Sequence, residues 1–361
     1  MRVAAVVGAR PNFVKIAPLL TELRGHPGAT AMLIHTGQHY DARMSDAFFA
    51  HLDLPAPDVN LGVRTEGAVA QVAEVMARLG LVLSEMAPDM VVVVGDVNST
   101  LAGALVAAKL GLPLAHVEAG LRSFDRSMPE EVNRVLTDAV SDLLFTTESS
   151  ANENLAREGV PPERVHFVGN TMIDTLFHHR ERAAASPILE QLGLGPRTYA
   201  ALTLHRPSNV DDPRALGRLL QVVARILEEA PVVFPVHPRT RGRLAAMADG
   251  LPSMPGLRLV DPLPYLDFVQ LMANARCVLT DSGGVQEETT ALRVPCLTLR
   301  ANTERPVTVT QGTNRIVGVD PGHIYEAWRE VQAGRWPAGE LPALWDGKAA
   351  VRIARVLLRA D

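Results

Sequence analysis

Short apolar runs alternate with helix-length amphipathic segments along most of the chain. In the first half, the runs that predict strands are residues 3–7, 31–36, 90–94, 114–117 and 143–146. A second series follows at residues 199–204, 232–236, 257–260, 277–280 and 296–299. Alternation of strands and helices in this way predicts parallel sheets built from βαβ units.

The run "MVVVV" at residues 90–94 is apolar at successive positions rather than at alternate ones. We therefore expect helices to cover both faces of this strand, as in a doubly wound sheet. The two strand series predict two Rossmann-like α/β domains with an intervening cleft. We assign residues 1–168 to the first domain and 169–346 to the second. The apolar spacing of "GKAAVRIARVLL" predicts a C-terminal helix, residues 347–361, that completes the first domain.

The composition fits two such domains and excludes several other classes of protein. The chain has 361 residues, of which 47% are hydrophobic. A formal net charge of −5 argues against a broad nucleic-acid surface, and no apolar run approaches the ~20 residues of a membrane span. Cys277 and Cys296 are the only cysteines, which is too few for a disulfide framework. We therefore expect a cytoplasmic protein that binds neither nucleic acid nor membrane.

Ligands of open parallel sheets bind beyond the carboxyl ends of the strands, so the loops there are the places to look for chemistry. In the first half, "GARPNFVK" offers Arg10 and Lys15 to an anion, and Lys15 is one of only three lysines. Asp96 follows the strand 90–94, and Glu118 ends a neighbouring strand. Two carboxylates at one sheet edge suit acid and base catalysis.

Each of these residues also has a structural interpretation. Asp96 can cap the following helix, and Arg10 and Lys15 can be exposed surface charges. Glu130 in "MPEEVNR" is a third candidate acid or base, although glutamates are common at helix starts.

In the second half, "LTDSGGVQEE" leads from a strand through two glycines into a helix. Ser282, Gly283 and Gly284 expose backbone N–H groups that can bind a phosphate, and Glu287 or Glu288 can reach sugar hydroxyls. The alternative is an ordinary capped helix start. His205 and His237 end two further strands and can transfer protons or bind anions.

Several cofactor motifs are absent from the sequence. No G-x-G-x-x-G or Walker motif follows the first strand, which weakens a nicotinamide dinucleotide or P-loop interpretation. The histidines, cysteines and aspartates lack convincing metal-ligand spacing. We therefore expect neither a cofactor nor a metal.

Together these motifs resemble those of the non-hydrolysing UDP-N-acetylglucosamine 2-epimerases, over nearly the full length of the chain. The matching motifs are "GARPNFVK", "TGQHYD", "GDVNST", "HVEAGLRS", "MPEEVNR", "GNTMIDTL", "LHRPSNVD", "HPRTR", "TDSGGVQEE" and "TERPVTV". The resemblance implies the two-domain glycosyltransferase-B-type fold, a homodimer and a UDP-sugar substrate.

The resemblance also implies roles for individual residues. The UDP pyrophosphate meets Ser282, Gly283 and Gly284, and Glu288 binds the ribose hydroxyls. The acid/base groups are Asp96, Glu118, Glu130 and His205. The remaining substrate-binding residues are Arg10, Lys15, His237 and Arg305.

The activity implied is reversible epimerisation at C2 of UDP-N-acetylglucosamine (UDP-GlcNAc), through elimination and re-addition of UDP. Four alternatives remain: a UDP-diacetamido-glucuronate epimerase, a hydrolysing epimerase, a retaining glycosyltransferase and a non-catalytic sugar-nucleotide sensor. Some similar enzymes have an arginine after the Gln-His pair that serves an allosteric site, where this chain has Tyr40 and Asp41. We therefore do not expect activation by substrate.

Overall fold

The computed structural model describes residues 1–37, 52–247 and 254–358. The chain forms two compact units: Met1–His178 with Ala343–Asp361, and His179–Pro342. Each unit has one parallel sheet, and helices connect most of its successive strands. The predicted fold class, two Rossmann-like α/β domains, is confirmed.

The first unit contains a seven-stranded sheet in the order β3-β2-β1-β4-β5-β6-β7. Its strands are β1 (Arg2–Val7), β2 (Thr30–His35), β3 (Val59–Asn60), β4 (Met90–Val94), β5 (Leu114–Ala119), β6 (Leu143–Thr146) and β7 (Val165–Phe167). Its helices are α1 (Arg10–Gly25), α2 (Ala68–Met86), α3 (Asn98–Leu110), α4 (Pro129–Val140), α5 (Ser149–Arg157), α6 (Thr171–Ala184), which runs on into the second unit, and the C-terminal α15 (Ala349–Leu358).

The second unit contains a six-stranded sheet in the order β10-β9-β8-β11-β12-β13. Its strands are β8 (Ala200–Thr203), β9 (Val232–Pro235), β10 (Leu257–Val260), β11 (Cys277–Thr280), β12 (Cys296–Thr298) and β13 (Asn314–Ile316). Its helices are α7 (Ile188–Gln191), α8 (Pro207–Val210), α9 (Pro213–Leu227), α10 (Pro238–Ala246), α11 (Tyr265–Asn274), α12 (Gly283–Leu292), α13 (Val307–Thr310) and α14 (Pro321–Gln332).

The central strands are buried on both faces, as their uninterrupted apolar sequences predict. All five residues of β4 are buried, and so are all four residues of β11. Strand order reverses direction at β1 and β4 in the first sheet and at β8 and β11 in the second. These are the positions at which doubly wound sheets bind their ligands.

Three short strands, β3, β7 and β13, were not predicted. They contain two or three residues each and add to the edges of the two sheets. Segments this short carry too few residues to show an apolar pattern.

The boundary between the units lies inside helix α6, between His178 and His179, whereas the sequence places it near residue 169. The chain enters the second unit along a continuous helix, so no change in composition marks the crossing. It returns to the first unit at Ala343.

The C-terminal segment is tied to the first unit by buried polar contacts. The Asp174 carboxylate accepts the backbone N–H groups of Ala349 and Ala350 at 3.1 and 2.7 Å, which caps α15. The Trp345 indole donates to the Thr147 carbonyl at 2.9 Å. Helix α15 then packs beside α1.

Among the helices within the described ranges, none is both long enough and apolar enough to cross a lipid bilayer.

Candidate active site

Lys15 and Glu118 form a buried ion pair at the carboxyl edge of the first sheet. The Lys15 Nζ lies 2.5 Å from Glu118 Oε2, and both side chains are more than 90% buried. Asn12, one turn earlier on α1, donates to the Val94 carbonyl at 2.8 Å and so ties the helix to the end of β4. Lys15 is therefore not an exposed surface charge.

The backbone at Glu118 adopts a conformation that non-glycine residues rarely take. Its φ angle is +73°, and that of Gly120 is +78°. The pairing of β5 with β6 shifts between Val117 and Ala119, which indicates a bulge at Glu118. Holding a non-glycine residue in this region costs of order 1–3 kcal/mol, and such strain clusters at functional sites.

Asp96 is the second carboxylate of this edge, and it pairs with a different cation. The Arg134 guanidinium on α4 pairs with Asp96 Oδ2 through one nitrogen and with Glu131 Oε2, at 2.5 Å, through another. Asn133 donates to the Asp96 carbonyl at 2.9 Å. Asp96 remains partly exposed while Glu118 is buried.

Gly95, the residue before Asp96, lies against the Lys15–Glu118 pair. A Cβ at this position would lie 3.3 Å from Lys15 Nζ and 3.9 Å from Glu118 Oε1. The chain segment that carries Asp96 therefore runs directly against the Lys15–Glu118 pair. We refer to Lys15, Asp96, Glu118 and Arg134 as the carboxylate cluster.

Glu130 and Glu131 are neighbours in sequence with different surroundings. Glu131 is buried and accepts the backbone N–H groups of Ser123 and Phe124, both at 2.9 Å, which fixes the loop after β5. Glu130 is half-buried in the first turn of α4. Arg10 is also half-buried and is the first residue of α1.

In the second unit, His205 and Asp281 form a pair at the carboxyl ends of β8 and β11. The His205 Nδ1 lies 2.8 Å from Asp281 Oδ1, and about half of the His205 side chain is exposed. Asp281 is fully buried and also accepts N–H groups from the His205 and Arg206 backbone and from the Asn209 side chain, at 3.0–3.1 Å. Burial opposes ionisation, but His205 and these donors hold the pKa of Asp281 below its ordinary value. With Nδ1 engaged, Nε2 is the nitrogen left for proton transfer.

Helix α12 begins beside this pair. Ser282 is its N-cap in extended conformation, and among the described residues the Ser282 hydroxyl caps no helix N–H group. The first-turn N–H groups of a helix have no partners within the helix and attract anions. Gly283 and Gly284 open the helix, so this end has the form that binds phosphate.

Arg305 packs against the start of α12 in a buried ionic network. A Cβ at Gly283 would overlap the Arg305 guanidinium and lie 2.6 Å from Glu304 Oε1. Arg305 pairs with Glu304 and, through Nε at 3.0 Å, with Glu287. Glu304 also pairs with Arg300 at 2.8 Å and lies 3.9 Å from the Arg206 guanidinium, so at least three guanidinium groups share the two carboxylates.

Glu288 lies in the second turn of α12 and is buried. The Tyr265 hydroxyl donates to Glu288 Oε1 at 3.0 Å. Burial raises the pKa of Glu288 to about 7; the Tyr265 hydrogen bond acts in the opposite direction, and the Glu287 charge adds to the increase. His237 is exposed and follows β9, the strand beside β8.

The structure brings the predicted site residues into two groups, one in each unit. In the first unit, Lys15, Asp96 and Glu118 lie together, and in the second, His205 lies beside the start of α12. Tyr40 and Asp41, which bear on substrate activation, fall outside the described residues.

Two buried aspartates, Asp138 and Asp281, were missed by the sequence analysis, together with His116. Asp281 stands directly before Ser282, where it looks like a helix cap. His116 stands two residues before Glu118 in the sequence, and this spacing is the one signal that could have drawn attention to it.

The chain was compared with families and proteins of known sequence or structure. The family model described as UDP-N-acetylglucosamine 2-epimerase matches residues 21–358. UDP-N-acetylglucosamine 2-epimerase of Methanocaldococcus jannaschii is 40% identical over 99% of both chains. UDP-2,3-diacetamido-2,3-dideoxy-D-glucuronate 2-epimerase of Pseudomonas aeruginosa is 38% identical over 99% of this chain and 100% of its own.

A solved structure gives the same result. The crystal structure of M. jannaschii UDP-GlcNAc 2-epimerase in complex with UDP-GlcNAc and UDP has 39% sequence identity and a TM-score of 0.93, with 100% of both chains covered. The chain belongs to the UDP-N-acetylglucosamine 2-epimerase family.

Proposed function

We propose that this protein interconverts UDP-GlcNAc and UDP-N-acetylmannosamine (UDP-ManNAc) by eliminating UDP and adding it back through 2-acetamidoglucal. The observation that carries the proposal is the carboxylate cluster, in which Asp96 and Glu118 each pair with a separate cation. The similarity to an enzyme crystallised with UDP-GlcNAc and UDP supports the choice of substrate.

The chemistry of the sugar requires this kind of site. The hydrogen at C2 is not usefully acidic, because C2 bears the acetamido nitrogen and no carbonyl group. Loss of UDP from C1 and of the proton from C2 gives an alkene, the 2-acetamidoglucal. A proton then adds to C2 from the opposite face while UDP returns to C1. The enzyme must therefore supply protonic groups on the sugar and positive charge on the departing diphosphate.

In this proposal, Asp96, Glu118, Glu130 and His205 are the proton-transfer groups. Their surroundings differ: Glu118 is buried against Lys15, Asp96 is partly exposed beside Arg134, and His205 is oriented by Asp281. A base and an acid held in different environments can remain in different protonation states at one pH.

We assign nucleotide binding to the second unit and to two cations of the first. The diphosphate meets the N–H groups of Ser282, Gly283 and Gly284, and Glu288 accepts the ribose hydroxyls. Arg10, Lys15 and His237 supply positive charge or hydrogen bonds. Arg305 packs against the helix start and supplies positive charge there, because Arg300 and Arg206 share Glu304 with it.

A UDP-diacetamido-glucuronate is the alternative substrate, since the P. aeruginosa enzyme is nearly as similar as the M. jannaschii one. The two substrates differ at C3, where an acetamido group replaces a hydroxyl, and at C6, where a carboxylate replaces the hydroxymethyl group. The same elimination chemistry serves both.

The test is proton NMR of the products formed from each UDP-sugar. We expect UDP-ManNAc from UDP-GlcNAc, with a larger kcat/KM than for the diacetamido-glucuronate. The reverse preference would support the alternative substrate. Free N-acetylmannosamine with UDP as the main products would show a hydrolysing enzyme, and transfer only to an added acceptor would show a glycosyltransferase. UDP binding with none of these products would show a sensor.

We also propose a homodimer. The family resemblance implies a dimer, and helix α2 is a candidate interface because it exposes the apolar side chains Val69 and Leu81, which are 86% and 76% exposed. Light scattering should give twice the 38.9 kDa mass of the chain. A monomeric mass for the wild-type protein would refute the proposal, and a dimer of unchanged stability in Leu81→Glu would exclude α2 from the interface.

A further inference from the structure

His116 lies fully buried on β5 and contacts an acceptor with each ring nitrogen. Its Nδ1 lies 2.6 Å from Asp138 Oδ1, and its Nε2 lies 2.8 Å from the Gly95 carbonyl. A carbonyl oxygen can only accept, and an ionised carboxylate can only accept. Each ring nitrogen of His116 therefore faces an oxygen that can accept a hydrogen bond from it.

Asp138 has two further partners besides His116. Its other oxygen accepts the Gly120 backbone N–H at 3.0 Å and pairs with the Arg122 guanidinium at 2.7 Å. Burial disfavours its ionised form, but His116 and Arg122 together lower the pKa of Asp138. Arg122 in turn makes a two-pronged contact with Glu158, at 2.8 and 2.7 Å. His116, Asp138, Arg122 and Glu158 form one connected polar network.

The network forms hydrogen bonds with the backbone at Gly95, next to Asp96, and at Gly120, close to Glu118. Gly95, which accepts from His116, immediately precedes Asp96, and its own N–H donates to the Val117 carbonyl at 3.0 Å. Gly120, which donates to Asp138, lies two residues after Glu118, at the end of the bulged segment. Asp138 lies one turn after Arg134 on α4, the helix that also contacts Asp96.

We infer that the His116–Asp138 pair is a positioning device for epimerisation, which sets the separation of the Asp96 and Glu118 carboxylates through the Gly95 carbonyl and the Gly120 N–H group. This inference rests on the proposed role of those two carboxylates. His116 and Asp138 act through Asp96 and Glu118 rather than on the sugar. The strained backbone at Glu118 explains the need for such a device, because unsupported it would relax and move the side chain.

Two substitutions of His116 separate positioning from simple stability. The amide of glutamine reaches about as far as Nε2 of histidine, so His116→Gln keeps a donor for the Gly95 carbonyl. The amide of asparagine reaches only as far as Nδ1, so His116→Asn keeps the contact with Asp138 and loses Gly95. Asp138→Asn removes the charge at constant shape. Asp174→Asn is the control, because it alters another buried carboxylate of the same unit, the one that caps α15.

For epimerisation measured with folded protein, we expect His116→Asn and Asp138→Asn to lower kcat at least ~10-fold with KM within ~3-fold, and the kcat–pH profile to shift. His116→Gln should recover most of kcat, and Asp174→Asn should lower Tm without changing kcat. Equal kcat in all four variants would overturn the inference, as would a loss in Asp174→Asn as large as that in His116→Asn.

A second readout does not depend on turnover. The backbone amide NMR shifts of Asp96 and Glu118 in the ligand-free protein should move in His116→Asn and stay near wild-type values in His116→Gln. If the wild-type protein does not epimerise either UDP-sugar, the proposed function fails, and these shifts still report on the positioning. Unchanged shifts in both His116→Asn and Asp138→Asn would overturn the positioning itself. If His116→Asn does not fold, Asp138→Asn carries both measurements.

Discussion

The two switch points of this molecule share a topology but are built for different tasks. Beside the first, between β1 and β4, the side chains are carboxylates: Glu118 pairs with Lys15, and Asp96 shares Arg134 with Glu131. At the second, between β8 and β11, a half-exposed histidine rests on a buried aspartate beside an open helix N-terminus. The first is a site of compensated negative charge, and the second favours an anion.

In the proposed function, this difference corresponds to different requirements for binding and for proton transfer. Backbone N–H groups at a helix start bind phosphate without changing protonation state, whereas proton transfer needs side chains whose placement and charge are controlled. In the first unit, ion pairs hold the side chains of Asp96 and Glu118, and the backbone at Glu118 is strained. We therefore expect substitutions of Asp96, Glu118 and the His205–Asp281 pair to affect turnover, and substitutions within α12 to affect nucleotide affinity.

The largest effect is expected at the carboxylate cluster. Asp96→Asn and Glu118→Gln should each lower turnover by at least ~10²-fold, because each removes a proton-transfer group, while UDP affinity stays within ~10-fold. Assays of epimerisation measure the turnover, and calorimetry with UDP measures the affinity. Asp142→Asn is the control at the opposite end of β5, where Asp142 accepts the Leu114 N–H at 2.8 Å. Near wild-type turnover in either variant would reduce that residue to a structural carboxylate.

Asp281→Asn should have the next largest effect, a loss of ~10²-fold in turnover, because an amide facing Nδ1 changes the tautomer of His205. If Asp281 acts through His205, the turnover of the double variant Asp281→Asn/His205→Asn should be no lower than that of the less active single variant. Strictly additive losses would contradict that coupling. Asp212→Asn, at the N-cap of α9, is a control with an expected change below ~2-fold.

Glu288→Gln should weaken UDP binding by ~10–150-fold at pH 8, since a charge-assisted hydrogen bond contributes about 1.5–3 kcal/mol. The pKa of Glu288 is raised to about 7 by burial, so the wild-type carboxylate becomes protonated as the pH falls below that value. The difference between the two proteins should therefore shrink towards pH 5.5. Calorimetry with UDP between pH 5.5 and 8 measures this difference. If folded Glu288→Gln binds UDP as tightly as the wild type at pH 8, Glu288 does not bind the ribose.

The same shift predicts how stability depends on pH. Because the folded-state pKa of Glu288 lies above the ordinary 4.5, its contribution to stability is complete below pH 4.5 and is lost as the pH rises through about 7. In the ligand-free protein, Glu288→Gln should flatten this part of the Tm–pH curve. Parallel curves for variant and wild type would contradict the raised pKa.

The smallest effect is expected at the helix start. Gly283→Ala places a Cβ against Arg305 and Glu304, whose side chains must then shift, and it should weaken UDP binding by a few-fold, about 1 kcal/mol. Gly242→Ala, in α10 with open space around it, should instead stabilise the protein by about 0.5–1 kcal/mol and leave affinity unchanged. Equal affinities in both variants would show that Arg305 does not support the phosphate site.

The sequence predicts the sheets well because their strands are runs of successive apolar residues, which only doubly covered strands require. Val59–Asn60, half-exposed at a sheet edge, carries no such signal. The boundary between the units inside α6 also has no signal in the sequence, because a continuous helix crosses it without a segment of linker-like composition.

Candidate site residues could be found from strand ends, but their partners could not. Glu130 and Glu131 look equivalent in sequence, and only the rotation of α4 decides that Glu131 is buried against the loop after β5. His116 depends on Asp138, 22 residues further along the chain, a pairing that needs the packing of α4 on β5. The sequence suggests that Arg305 is a cation available to a ligand, whereas in the structure it pairs with Glu287 and Glu304.

The central claim is that UDP leaves and returns during epimerisation, and the most direct test is to run the reaction in D2O with oxygen-18 in the C1–O–P bridge. Elimination predicts deuterium at C2 of recovered UDP-GlcNAc and UDP-ManNAc, because the proton removed exchanges with solvent before re-addition. It also predicts scrambling of the bridge oxygen, because the departed diphosphate can rotate. Epimerisation with protium retained at C2 and the bridge label unscrambled would contradict the account.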